Sequence, residues 1–258
     1  MPVPPRLGGR DDGREATGRW RPYVRRRELI PQAITVLALA CGLGAFEAAS
    51  TGQWAWSFRL ILLAGVFDGA DGVLARRLSV AGPMGQQLDS LSDVVTFGAA
   101  PAFLFISYYS GEPDILRFAV GLVFVAAGMF RLARYNTRPA TSSFSGLPIT
   151  AAGVLFAAIV TGPLAGRTVI ASGAGLLLGA LMVSTYPFPT LSKARGKLLP
   201  FAVPVLVPVV LWPQLETVAL IAAGGIGLYL VWGLVSRFVD HEGNSSVAEV
   251  TGAPSPRP

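Results

Sequence analysis

Apolar residues in this chain come in blocks of about 20, and that blocking constrains the fold more than any other feature of the sequence. A helix needs about 20 mostly apolar residues to cross the hydrocarbon core of a bilayer, and there it must satisfy its own backbone N–H and C=O groups. Six stretches meet that requirement: 31–49, 55–77, 88–109, 115–135, 148–164 and 168–186. Two more follow at 199–212 and 216–236, and Pro204 and Pro208 predict a kinked or shallow helix in the first of these. The connections are short, so the expectation is one integral domain over 29–238. Its class is all-α, a polytopic membrane helix bundle with six core transmembrane helices and two C-terminal ones. Composition agrees: 52% of residues are apolar, 14% are charged and mean hydropathy is +0.54.

The first 28 residues contain eight arginines and little to bury, which predicts a disordered basic tail. A cleaved signal peptide is not expected, because both the basic region and the apolar run after it are too long. Residues 239–258 form a second polar tail, also expected to be disordered. A net charge of +6 would suit nucleic acid, but the positions of the charges exclude that partner. Arg76, Arg77, Arg131, Arg134, Arg138, Lys193, Arg195, Lys197 and Arg237 fall in alternate connections or at their edges. The connections near 50–54, 110–114, 164–167 and 213–216 hold only Arg167. This asymmetry is the positive-inside pattern. It predicts a multi-pass protein of the cell's inner (plasma) membrane, with both termini and the basic loops cytoplasmic and facing anionic lipid headgroups.

Cys41 is the single cysteine and His241, in the C-terminal tail, the single histidine. Intrachain disulfides, thiolate metal clusters, histidine zinc sites and His-based triads therefore lack their parts. Chemistry must come from carboxylates, arginines, hydroxyls and backbone. The segment Phe67–Gly98 supplies these in a place that should be apolar, with Asp68, Asp71, Asp89, Asp93, Arg76 and Arg77. Asp68 and Asp71 are three residues apart and Asp89 and Asp93 four, so each pair shares a helix face. The second and third helices run antiparallel, and as neighbours they would bring both pairs together near the cytoplasmic surface. Four carboxylates so placed repel one another and need arginines, shared protons or divalent cations. Two arginines cannot balance four acids, and an all-oxygen donor set suits one or two Mg²⁺ or Mn²⁺ ions alongside substrate phosphates. Gly69, Gly72 and Ala75 keep that helix face small, with Gly85 just before the third helix. Small residues permit either close helix packing or close approach of a ligand. Arg76, four residues after Gly72, lies on the same face.

These residues read D-x2-D-G-x2-A-R-x8-G-x3-D-x3-D from Asp68 to Asp93, eight fixed positions within 26 residues. The pattern resembles the signature of the CDP-alcohol phosphotransferase family. The resemblance implies a bundle of six core membrane helices, a homodimer, and two metal ions, Mg²⁺ or Mn²⁺, held by Asp68, Asp71, Asp89 and Asp93. It implies that Asp93 is also the general base, and that Gly69, Gly72, Ala75, Arg76 and Gly85 hold the CDP portion of a lipid substrate. Further stretches, "LDSLSDVVTFGAAPA" (Leu88–Ala102), "FRLARYN" (Phe130–Asn136), "GLPITAA" (Gly146–Ala152) and "LMVSTYPFPTLSK" (Leu181–Lys193), are similar to the bacterial branch whose acceptor is serine. That similarity implies transfer of a phosphatidyl group from CDP-diacylglycerol to the serine hydroxyl, with release of CMP.

Two positions depart from the family pattern. Gln32 follows Pro31 where asparagine is common, and Thr150 stands where the family often has proline, a difference expected to matter little for catalysis. For the acceptor carboxylate, Arg131 and Arg134 offer fork-shaped donors three residues apart. Two other readings compete: the same family with glycerol 3-phosphate or an inositol phosphate as acceptor, and a cation transporter, whose carboxylates would lie nearer mid-membrane on broken helices.

Overall fold

The computed structural model describes residues 29–80, 82–111, 114–137, 146–162, 167–186 and 224–225. The two tails, the stretch 199–212, nearly all of 216–236, and Arg138, Lys193, Arg195, Lys197, Arg237 and His241 lie outside the described residues. The chain forms α1 (Leu29–Ser50), α2 (Trp54–Arg77), α3 (Pro83–Asp93), a π-helical segment (Val94–Ala99), α4 (Ala100–Tyr108), α5 (Asp114–Thr137), α6 (Ile149–Thr161) and α7 (Thr168–Val183). No strand occurs among the described residues. α3, the π segment and α4 form one continuous rod of 26 residues, so six rods answer the six apolar blocks.

Three rods, Leu29–Ser50, Pro83–Tyr108 and Ile115–Thr137, are both long and apolar enough to cross a bilayer. α2 has 24 residues but carries Arg59, Asp68, Asp71, Arg76 and Arg77. α6 and α7 are apolar but have only 13 and 16 residues. The third rod begins at Pro83, five residues before the expected start at 88. Proline at the first helical position needs no N–H partner and presets φ, and Gly82 caps it in an extended conformation. The added turn holds Gln86 and Gln87, so apolarity could not reveal it. Gly85 consequently lies in the first turn of α3 and not ahead of the helix.

α1 is the helix on which much of the bundle leans. Its buried residues Pro31, Thr35, Ala38, Gly42, Ala45 and Ala49 alternate spacings of four and three, which draws a narrow seam of small side chains along one face. Small seams let membrane helices approach closely, and hydroxyls then join them. Ser57 Oγ of α2 donates to the Ala45 carbonyl at 2.9 Å, and Ser92 Oγ of α3 reaches the Thr35 carbonyl at 3.4 Å. A Cβ on Gly42 would lie only 2.6 Å from Thr96 Oγ1, so the π segment closes directly on α1.

Deeper in the bundle Phe58, Phe97, Phe105, Phe124 and Phe156 are fully buried. The Phe156 ring lies 5.3 Å from Phe105 and 4.7 Å from Phe124, fastening α6 to α4 and α5. Arg117, buried in the first half of α5, donates through Nη1 to the Ile106 carbonyl in the last turn of α4. A cation there complements the negative end of that helix. Leu116, Phe118, Leu122, Val123 and Phe130 of α5 and Leu176 and Leu177 of α7 point outward, as on faces a bilayer would cover.

Cross-helix bonds place the start of α1, the end of α2, the start of α3, the end of α5, the start of α6 and the end of α7 at one end of the bundle. α6 is seated there by the turn Gly146–Pro148. Gly146 adopts φ +87°, donates to the Tyr186 carbonyl at 2.8 Å, and has no room for a Cβ against the Met182 carbonyl. One helix turn further on, a Cβ on Gly153 would collide with the backbone carbonyl of Phe97 in the π segment. Gly153→Ala is therefore expected to destabilise the fold by about 1–3 kcal/mol, because backbone cannot swing aside as a flexible side chain can. Gly173→Ala, whose Cβ would meet nothing within 4 Å, is expected to leave the fold unaffected. Thermal unfolding of the two variants in detergent checks the difference.

Candidate active site

α2 ends in a Schellman motif directly after its two arginines. Val80 N–H donates to the Ala75 carbonyl at 3.0 Å and Ser79 N–H to the Arg76 carbonyl at 3.2 Å, with Ser79 left-handed at φ +54°. This stop fixes how far Asp68 and Asp71 stand from the bundle end. Asp71 is buried, 5% exposed, while Asp68 and Asp89 are half-buried. One carboxylate oxygen from each of Asp68, Asp71 and Asp89 lies within 4.8 Å of the others. Asp93 stands one turn further along α3, 8% exposed and outside that trio. It feels the negative charges of Asp68, Asp89 and Asp71 and, opposing them, the positive charge of Arg131.

The two aspartate-bearing rods are neighbours, as the sequence suggested: α2 packs on the π segment and on α4 of the third rod. α3 rests on α1 and the end of α5, α2 rests on α1 and α6, and the carboxylates face one another between them. The small residues of the α1 seam admit both helices against it.

Around the acids, Gly72 lies beneath the Arg76 guanidinium, whose Nη1 would be 3.5 Å from a Cβ at that glycine. Arg76 itself is exposed, and Ala75 and Gly69 are half-buried on α2 beside the aspartates. A Cβ on Gly85 would meet nothing within 4 Å among the described residues, so their packing does not explain that glycine. Arg131 is buried, 6% exposed, and its charge acts on Asp93. Arg134 turns toward α7. Its Nη1 donates to the Val183 carbonyl at 2.8 Å and its Nη2 to Ser184 at 3.0 Å and Met182 at 3.3 Å, closing the C-terminal end of α7. Asn136 accepts from Gln86 Nε2 at 3.1 Å and donates to Ser90 Oγ at 3.0 Å, tying the end of α5 to α3 beside Asp89.

Two hydroxyls that sequence reasoning did not place at the site touch its acids. Thr35 Oγ1 of α1 donates to Asp71 Oδ2 at 2.6 Å, and Thr150 Oγ1 of α6 donates to Asp68 Oδ2 at 3.3 Å. Thr150 was legible only as a departure from the family pattern, and Thr35 only as a polar residue in an apolar helix.

Three converging carboxylate oxygens with no nitrogen or sulfur donor among them fit a hard divalent cation. The four aspartates, Thr35, Thr150 and Arg131 lie toward one end of the bundle, away from its middle. The model for CDP-alcohol phosphatidyltransferases matches residues 28–186, which takes in every helix described above. A Helicobacter pylori protein named CDP-diacylglycerol–serine O-phosphatidyltransferase is 33% identical over 217 residues, 80% of this chain and 90% of that protein. One of the same name from Methanocaldococcus jannaschii is 34% identical over 166 residues, 64% of this chain and 76% of the relative. An archaetidylserine synthase from Methanothermobacter thermautotrophicus is 33% identical over 168 residues, 62% of this chain and 69% of the relative. With the aspartate pattern of Asp68 to Asp93 in place at the mouth of an all-α bundle, the chain belongs to the CDP-alcohol phosphatidyltransferase family.

Proposed function

We propose that the protein transfers the phosphatidyl group of CDP-diacylglycerol to the hydroxyl of L-serine, yielding phosphatidylserine and CMP. The observation that carries this reading is the convergence of Asp68, Asp71 and Asp89, with Asp93 and the Arg131 charge alongside, in a chain whose relatives are named for serine as acceptor. The serine oxygen attacks the phosphorus that bears the diacylglycerol; the bond from that phosphorus to the CMP oxygen breaks, and CMP leaves with the electron pair. Asp93 accepts the serine hydroxyl proton. Asp68, Asp71, Asp89 and Asp93 would hold two divalent ions, Mg²⁺ or Mn²⁺, which supply positive charge to the diphosphate and the leaving group when bound. Gly69, Gly72 and Ala75 let the CDP portion approach α2, Gly85 leaves space for it at the start of α3, and Arg76 reaches its phosphates. Arg131 offers its guanidinium to the serine carboxylate. Arg134, paired with the end of α7, contributes by holding that helix against α5.

The end of the bundle bearing these groups faces the cytoplasm in this reading, in keeping with Arg76, Arg77, Arg131 and Arg134 there. Two copies pair as a homodimer, a state that light scattering of the purified protein measures. Cation transport fits less well, since the carboxylates share one end of the bundle and the family is one of transferases.

CMP release from CDP-diacylglycerol, measured with serine, glycerol 3-phosphate and an inositol phosphate in turn and with or without Mg²⁺ or Mn²⁺, tests the function. Turnover is expected with serine and metal together; a response to another acceptor alone would overturn the choice of serine. Asp93→Asn keeps the side-chain shape and is expected to lower kcat by about 10²–10⁴-fold while the protein still folds. A Cβ at Gly85 meets no described atom within 4 Å, so Gly85→Val is expected to spare folding and to raise the KM for CDP-diacylglycerol about tenfold.

A further inference from the structure

Each α2 carboxylate is met by a hydroxyl from a different neighbouring helix, and on that basis we propose that Thr35 and Thr150 are positioning residues that orient Asp71 and Asp68 for metal binding. The inference rests on the metal-dependent reading above and deepens it.

An aspartate on a helix retains two side-chain torsions, so α2 sets where Asp68 and Asp71 begin but not where their oxygens end. Neighbouring helices must supply that. Thr35 is buried, 8% exposed, and its Oγ1 stands 2.6 Å from Asp71 Oδ2. That separation falls in the range of a hydroxyl donating to an ionised carboxylate, roughly 2.5–2.7 Å. The same oxygen lies 3.2 Å from the Pro31 carbonyl, the ordinary bond of a helical threonine to the residue four before it. A hydroxyl has one proton, and the shorter, charge-assisted contact claims it. Thr150 approaches from the first turn of α6, at 3.3 Å from Asp68 Oδ2. Its placement is set by the strapped turn at Gly146, whose left-handed backbone and bond to Tyr186 fix where α6 begins. Both residues are β-branched and therefore restricted at χ1, which suits a contact meant to hold one orientation. The two bonds join residues 36 and 82 positions apart, so α1 and α6 both report to α2.

Groups that hydrogen-bond a ligating carboxylate fix its orientation, and their loss typically lowers metal affinity about 10–100-fold. Thr35→Val keeps the branched shape and removes the donor. In full-length protein purified in detergent, Mn²⁺ titrated against the chain and followed by the electron paramagnetic resonance of the free ion is expected to bind Thr35→Val at least tenfold more weakly than wild type. Thr35→Ser, which restores the hydroxyl, should return to within about threefold, a rescue that a purely packing role would not give. Thr150→Val should show a smaller loss, about threefold to tenfold, in line with its longer contact. Thr150→Val and Thr35→Ser also decide the matter should Thr35→Val not fold. Wild-type Mn²⁺ affinity in a folded Val variant would overturn the role of that threonine and leave the metal site standing. Wild-type protein that binds no Mn²⁺, or Asp71→Asn protein that binds it as well as wild type, would overturn the metal reading itself and this proposal with it.

Discussion

Like charges held close together dominate this structure. Three carboxylate oxygens lie within 4.8 Å of one another, and at an effective dielectric of 20 each ionised pair at that distance repels by roughly 3.5 kcal/mol. Three such pairs would oppose folding by about 10 kcal/mol, comparable to the whole stability of a typical domain, about 5–15 kcal/mol. A chain keeps such an arrangement only if positive charge or protons relieve it, and the Arg131 charge acts on Asp93, one turn beyond the trio. The repulsion thus explains why the acids sit at one end of the bundle, within reach of ions and of a charged substrate, and not at its centre.

Holding the acids in place falls to helices that carry none of them. α1 has no acid in its buried seam, yet α2, α3 and the π segment all pack on it, and its small residues allow their approach. α6 and α7 work together through the Gly146 turn and through Arg134, whose three carbonyl partners stop α7 where α5 ends. The end of the bundle that bears the acids is therefore a convergence of six helix termini, four of them set by an identifiable local device: the Schellman turn at Ser79 for α2, the proline at Pro83 for α3, the left-handed glycine at Gly146 for α6 and Arg134 for α7.

Much of this was legible in the sequence because hydrophobicity and helical spacing are local signals. The six rods follow the six apolar blocks, and the i, i+3 and i, i+4 spacings of the aspartates told correctly which acids share a face. What escaped notice depends on partners distant in the chain. The first turn of α3 is polar and reads as loop, so its start was placed five residues late. The fit of α2 and α3 against the seam of α1 is another such feature, which no reading of the acidic segment alone contains. Thr150 looked inconsequential because its partner, Asp68, is 82 residues earlier. Arg134 and Arg131 looked equivalent by spacing, yet three helical positions turn one guanidinium to the α7 carbonyls and leave the other buried with its charge on Asp93.

The π segment between Asp93 and Ala100 widens one turn of an otherwise continuous rod. An α-helix turns about 100° per residue, so one residue more or fewer in that turn would swing everything on one side relative to everything on the other. Asp89 and Asp93 lie before it, and Phe105, packed in the aromatic core, lies after it. The bulge therefore acts as a phase adjuster. It lets the lower half of the rod obey the packing of the interior while the upper half aims its acids by a different rotation, so that core and chemistry could be tuned separately on a single helix.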